Sequence, residues 1–168
     1  SGEDSPITEI LKEYTKKDSR IQVKNNKKQL HISDNTNVAL DMATGDYIAF
    51  MDHDDLLTPD ALYECVAELN EYPDTELIYT DEDKITMDGE EYFFPHFKSD
   101  FNLDMLCTTN YFCHLVVVKK ELYQAAGKLN GEYDGAQDYD FVLRCVEKTD
   151  KIRHIPKILY HWRACEGS

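Results

Sequence analysis

The sequence predicts an α/β fold: a mixed, mostly parallel sheet flanked by helices. Three observations carry this. Helical and strand-like segments alternate through the first half, which is the pattern of parallel strands joined by crossover helices. Residues 46–52 form a short apolar run that ends in acid, as in a strand buried on both faces. The later strand-like segments lie close together in the chain, which adds an antiparallel portion.

Each element has its own local signal. Residues 6–17 read as an amphipathic helix, with Pro6 at its start and Ile7, Ile10, Leu11 and Tyr14 at helical spacing. Ile21 to Val23 suit a short strand, and the polar, largely cationic stretch from Asn25 to Gln29 suits a loop. Ser33 is the expected cap of a second helix through Val38, Ala39 and Met42, ended by Gly45. After the 46–52 strand, Thr58-Pro59 opens a helix carrying Leu62, Val66 and Leu69. Glu76 to Thr80 reads as a strand. Lys84 to Met87 and Glu90 to Phe94 flank Asp88-Gly89, a pair that favours a tight hairpin turn. Leu115 to Val118 is a β-branched strand, 119–126 a short helix and 137–148 a stronger one. Ile152 to Ile155 and Ile158 to Trp162 are terminal extended segments. No repeat, linker or low-complexity tract divides the 168 residues, so one domain is expected.

Composition narrows the function. Hydrophobic residues make up 42% and aromatics 11%, enough for a sizeable core. Eighteen Lys and Arg face 33 Asp and Glu, a net charge of −15. That balance argues against nucleic acid and against docking on anionic membrane, both of which need clustered cations. No apolar run reaches the length of an integral membrane segment, and no signal peptide is visible. Cys65, Cys107, Cys113, Cys145 and Cys165 are odd in number and form no CxxC pair, so free thiols in a reducing cytoplasm are expected.

Asp52-His53-Asp54-Asp55 follows the apolar strand directly. Ligands of open α/β sheets bind beyond the carboxyl ends of the strands. In extended chain Asp52 and Asp54 share a face about 6.6 Å apart, at about 3.3 Å per residue. At an effective dielectric near 20 they repel by about 2.5 kcal/mol. A hard divalent cation would relieve this, and it can also bridge a diphosphate. The alternative is a solvated acidic loop. The spacing does not suit an EF-hand, because Leu56 and Leu57 stand where a ligand and the glycine belong. There is no P-loop, nucleophile elbow or zinc pair.

Asp138 lies on the apolar stripe of the last helix with Phe141, Val142 and Cys145, so it points toward the interior or a cleft. It is either a first-turn acid favoured by the helix dipole or a general base. The dipole lowers its pKa and burial raises it; the sequence leaves the balance open. Asp140 and Arg144 are spaced to pair on the outer side. In the extended 159–163 segment, His161 and Arg163 face one way and Trp162 the other. His161 is structural or a metal ligand, Arg163 a surface ion pair or a phosphate neutraliser, and Trp162 core or a sugar platform. Thr80-Asp81-Glu82-Asp83 is a solvated turn or, as the second reading, a cleft wall for a polyhydroxy substrate. His31, His96 and His114 carry no spacing signal and are read as structural.

These pieces occur in a recognisable order. Asn37-Val38-Ala39-Leu40, Ala43-Thr44-Gly45-Asp46-Tyr47, Met51-Asp52-His53-Asp54-Asp55-Leu56-Leu57 and Pro59-Asp60-Ala61-Leu62 come first. Tyr79-Thr80-Asp81-Glu82-Asp83-Lys84, Phe97-Lys98 and Asn110-Tyr111 follow. Gly135-Ala136-Gln137-Asp138-Tyr139-Asp140, Leu143-Arg144, His154-Ile155-Pro156 and Leu159-Tyr160-His161-Trp162-Arg163 close the set. The ordered set resembles the inverting family 2 glycosyltransferases of GT-A fold, in particular the bacterial rhamnosyltransferase-like branch of cell-surface polysaccharide synthesis.

The resemblance implies a hexosyltransferase-class enzyme. It would transfer a sugar from a nucleoside-diphosphate sugar to the hydroxyl of a saccharide or lipid-linked saccharide acceptor, in the cytoplasm or peripherally at the inner face of the membrane. By resemblance, Asp52 and Asp54 hold Mn²⁺ or Mg²⁺ and the donor, with Asp55 adjacent and His161 as a late metal ligand. Asn37 and Arg163 fall on the donor side, and Asp81 and Trp162 on the acceptor side. Asp138 matches the acid of the (E/Q)D motif that deprotonates the acceptor, with Gln137 where Glu is commoner. The family begins with a βαβ portion that binds the nucleobase and ribose. Here the first residues resemble the loop that follows it, so an N-terminally truncated domain, too incomplete for activity or firm donor binding, is the expectation. Two rival functions stand beside this one: a nucleotidyltransferase, whose Gly-rich basic loop is missing, and a non-catalytic carbohydrate-binding domain using Tyr111, Phe112 and Trp162.

Overall fold

The computed structural model describes residues 6–164. The chain forms two compact units. One comprises the residues up to Thr44 together with Leu129–Gln137; the other comprises Gly45–Lys128 and the residues from Asp138 onward.

In the first unit, helix α1 spans Pro6–Lys17. Pro6 loses nothing at a helix start, where its N–H would have no partner, and Lys16 and Lys17 sit in the last turn, where the helix dipole favours cations. The strand expected at 21–23 is irregular chain with Ile21 and Val23 exposed; a strand needs a ladder, and among the described residues no strand pairs with it. Helix α2 spans Ile32–Leu40, starts one residue before Ser33 and ends ahead of Gly45. Ser33 does not cap it: its N–H and hydroxyl both donate to the Asp134 carboxylate. That contact binds α2 to the 3₁₀ turn at Gly131–Tyr133.

The second unit is a six-stranded mixed sheet: β1 (Tyr47–Phe50), β2 (Leu56–Leu57), β3 (Leu77–Ile85), β4 (Tyr92–His96), β5 (Val116–Lys119) and β6 (Ile152–Arg163). The order is β1-β5-β3-β6-β2, with β4 also on β3. Helices α3 (Ala61–Glu71), α4 (Leu103–Leu106), α5 (Lys120–Ala126) and α6 (Gln137–Val146) complete it. The α/β class and the mixed sheet agree with the sequence. Parallel pairing among the described residues, however, is confined to β3 and β6. The crossover through α3 does return β3 in the direction of β1, since both run antiparallel to β5. Strand β5 is inserted between them, so β1 stands at one end of the strand order and, with Ala49 exposed, is not buried on both faces as expected.

The two C-terminal extended segments are one strand. It pairs with β3 from Leu77↔Ile152 to Ile85↔Arg163, and the register shifts between Thr80↔Ile155 and Asp81↔Ile158. Pro156 lies in that shift, as expected for a residue that cannot donate to a ladder. The hairpin is as predicted. Gly89 adopts φ +79°, and the Asp88 carboxylate accepts from the Thr86 hydroxyl and the Glu90 N–H.

The core on one face joins Ala61 and Cys65 to Ile78, Leu115, Val117, Ile155, Leu159 and Tyr160. A fully buried Ile or Leu such as Ile78 or Leu159 contributes about 1.5–3 kcal/mol. On α3 the buried residues are Ala61 and Cys65, with Leu69 packed beside them, whereas Leu62 and Val66 face solvent. The small residues let the helix lie close to the sheet. The acids of 80–83 are in no turn: they belong to β3 and are buried. Such burial is tolerated because each has a partner. Asp81 accepts from His154 and from the Lys98 N–H, Glu82 pairs with Lys98, and Asp83 pairs with His161.

Candidate functional site

The acidic loop 52–55 runs from β1 into β2, and β2 is held by β6 through Leu56↔His161 and Leu57↔Tyr160. Asp55 locks that junction. It is only 4% exposed. One carboxylate oxygen accepts from the Tyr160 hydroxyl and the other from the Arg163 N–H at 2.8 Å. The Tyr160 hydroxyl also accepts from the Asp52 N–H at 3.2 Å. Burial, then the bond to Asp55, pushes the Tyr160 phenol above its ordinary pKa. Arg163 adds a second clamp. Its guanidinium donates to the carbonyls of Asp54 (2.7 Å), Thr86 (3.1 Å) and Met87 (2.8 Å), tying the acidic loop to the hairpin turn.

Asp52 and Asp54 differ from Asp55. Their side chains are 61% and 45% exposed. Asp52 lies 3.8 Å from His114 Nε2, and the His114 ring stacks on Tyr160 with centroids 4.9 Å apart. His114 is thus part of the site, although its position in the sequence carried no signal.

Asp138 stands in the first turn of α6 and lines a cavity with Phe50, Cys113, His114, Val116, Phe141 and Val142. His114 therefore belongs both to this cavity wall and to the surroundings of Asp52. Burial pushes the Cys113 thiol up to about 12, the Asp138 charge adds to the rise, and Lys98 opposes it. On the outer side Arg144 pairs with Asp140 at 2.7 Å, as the spacing predicts, and also binds the carbonyls of Ala126, Gly127 and Lys128.

Several expected site residues have other duties here. Both polar atoms of the Asn37 side chain bond to the backbone of Leu129, at 2.8 and 3.0 Å. Arg163 is committed to three carbonyls, not presented to a phosphate. Asp81 is 2% exposed beneath His154 and Lys98, so an acceptor does not reach it. Trp162 is partly exposed with the Lys84 ammonium 4.5 Å above its ring. The His161 Nδ1 is 2.5 Å from Asp83, and its ring meets Tyr92 edge-on.

The metal expectation is narrowed accordingly. Among the described residues no group of three or more His, Cys, Asp or Glu is arranged to hold a metal ion. Asp55 and His161 do not join Asp52 and Asp54 in one set, because the first is bonded to β6 and the second to β3. What remains is two open carboxylates. Hard oxygen donors in that number fit a cation that completes its shell with substrate phosphate and water, as Mg²⁺ does.

Sequence reasoning missed Tyr160, His114 and Lys98. Tyr160 and His114 act through partners far along the chain, and a buried lysine is indistinguishable in sequence from a surface one.

Comparison with known proteins agrees with the fold. The chain is 43% identical over 167 residues to the uncharacterized protein y4gI of Sinorhizobium fredii, covering 98% of this chain and 18% of that protein. It is 36% identical over 162 residues to the O-antigen biosynthesis protein RfbC of Myxococcus xanthus, covering 96% of this chain and 12% of RfbC. The chain thus spans less than a fifth of either relative. The crystal structure of S. aureus TarS 1-349 in complex with UDP superposes with a TM-score of 0.75 at 18% identity, covering 96% of this chain and 48% of that one. Residues 2–124 match the family description Glycosyl transferase family 2, and the chain belongs to that family.

Proposed function

We propose that these residues form a single glycosyltransferase domain, within a larger protein, that moves a sugar from a nucleoside-diphosphate sugar to an acceptor hydroxyl with inversion, in the synthesis of a cell-surface polysaccharide. The observation that carries this reading is the placement of Asp138 in a cavity whose wall, His114, also stands beside Asp52. The proposed base and the open Asp52 carboxylate thereby share a neighbour, His114, and the open Asp54 follows Asp52 by two residues. Family membership and the O-antigen biosynthesis protein among the relatives support the same reading. A cytoplasmic location belongs to this reading; no described helix is long and apolar enough to cross a membrane.

In this mechanism Asp138 accepts the acceptor's proton as its oxygen attacks the anomeric carbon. The bond from that carbon to the diphosphate oxygen breaks in the same displacement, which inverts the centre. Asp52 and Asp54 would hold Mn²⁺ or Mg²⁺, which supplies charge neutralisation to the leaving diphosphate. Tyr160, Asp55 and Arg163 keep the two carboxylates presented.

The test uses the full-length protein. Asp138→Asn lowers transfer at least about a hundredfold, within the range for loss of a general base, and leaves donor affinity unchanged. Near-normal turnover removes Asp138 from the chemistry. Pyrophosphate release by the wild-type protein would replace this reading with a nucleotidyltransferase. Carbohydrate binding without any nucleotide release would replace it with a binding domain.

A further inference from the structure

Lys98 is the most deeply buried cation of the second unit, with no side-chain exposure. Its three ammonium protons have three partners. Nζ donates to the carbonyls of Phe112 at 3.1 Å and His114 at 2.6 Å, and it lies 3.5 Å from Glu82 Oε2. That same carboxylate oxygen accepts from the His114 N–H. Glu82 Oε1 lies 3.4 Å from His96 Nδ1, and the Lys98 N–H is fixed by Asp81 at 2.9 Å. Residues 112–114 are therefore gripped on both polarities: Lys98 takes their carbonyls and Glu82 takes an N–H. The backbone of this segment forms no strand. It is held by this pair, by the stack of Phe112 on Tyr79 and by that of His114 on Tyr160. The side chains it presents, Cys113 and His114, wall the cavity of Asp138.

A fully buried ammonium costs several kcal/mol to desolvate and rarely adds net stability over an apolar residue of similar shape. Its use here lies in geometry: a point charge with three donors defines the position of two carbonyls and a carboxylate at once. We propose that Lys98, acting with Glu82, is a positioning residue that holds the 112–114 wall against Asp138 and so sets the site where the acceptor hydroxyl meets its base. This rests on the transferase reading given above. The general statement that Lys98 fixes the wall stands on the hydrogen bonds alone.

The experiment compares the full-length protein with its Lys98→Met form, which keeps the aliphatic stem and removes the donors. Two readouts are taken: steady-state transfer, and the alkylation rate of each cysteine mapped by mass spectrometry. A displacement near 1 Å at a reacting centre costs up to about a hundredfold in rate. The expected result is a kcat lowered about tenfold to a hundredfold with donor KM within about twofold. Alkylation of Cys113 accelerates while the buried Cys65 and Cys145 keep their wild-type rates. Equal acceleration at all three cysteines would reduce Lys98 to a stabilising residue and overturn the proposal, as would unchanged kcat with unchanged Cys113. Absence of transfer in the wild-type protein would defeat the transferase reading, while the cysteine map would still decide whether Lys98 fixes the wall. Should Lys98→Met fail to fold, Glu82→Gln retains an acceptor for the His114 N–H and removes only the charge. It gives the same pattern at smaller amplitude, and wild-type behaviour in both readouts overturns the proposal.

Discussion

Removing one hydroxyl tests the architecture of the acidic loop. In Tyr160→Phe the ring, fully buried and stacked on His114, is preserved. What disappears is the donor to Asp55 and the acceptor for the Asp52 N–H. Asp55 is 4% exposed, so water does not replace the lost donor, and a charge-assisted hydrogen bond contributes about 1.5–3 kcal/mol. The Asp52 N–H sits beside an exposed side chain and recovers a water partner, so its loss adds little. The sum is about 2–3 kcal/mol of stability, or a fall of about 5–10 °C in Tm at this chain length. Urea unfolding followed by the fluorescence of Trp162 measures it, and an unchanged m-value shows that the native state is otherwise intact. Combining the change with Asp55→Asn supplies a control. The two effects fall short of additive by at least about 1 kcal/mol if the hydroxyl and the carboxylate act on each other. A loss below about 0.5 kcal/mol for Tyr160→Phe, the level of an ordinary surface change, or strict additivity with Asp55→Asn, would refute the assignment of Asp55 as the anchor of the loop.

Two further outcomes follow from the same geometry. Arg163→Met releases three carbonyls on two loops and costs about 1–2 kcal/mol by urea unfolding, less than a fully buried site because part of the guanidinium meets water; a loss under about 0.3 kcal/mol would show that the clamp holds nothing. Burial raises the Cys65 thiol from 9.0 to about 11 and the Cys145 thiol to about 12. The folded chain therefore keeps these protons longer than the unfolded one, so the contribution is present below pH 9.0 and is lost as pH rises through 11–12. The Cys65→Ala/Cys145→Ala variant loses less stability than the wild type over that window, and equal losses would contradict the burial assigned to the two thiols.

What could be read from the chain itself was local. Pro6, the 46–52 run, Asp88-Gly89 and the β-branched Val116–Val118 each announce an element, because backbone habit and side-chain period are properties of neighbouring residues. The acids at 52–55 and Asp138 were also legible, since an acid beside an apolar run is unusual wherever it folds. The readings that changed were those of context. Asp81, Asp83 and Asp55 look alike in sequence to Asp52 and Asp54, yet three are sealed under partners and two are open.

The sequence by itself determined most of the helices and strands, though not the irregular chain at 21–23 or the strand at 80–83, and which residue types crowd the end of β1. Only the tertiary structure decided that β5 enters between β1 and β3, that β3 lies at the centre with β6 beside it, and that Lys98 disappears beneath the cavity wall. The reason is distance along the chain. Asp55 is fixed by residues 105 and 108 positions away and Asp81 by one 73 away, and whether a carboxylate is open or sealed depends on which of those remote partners the folded sheet brings to it.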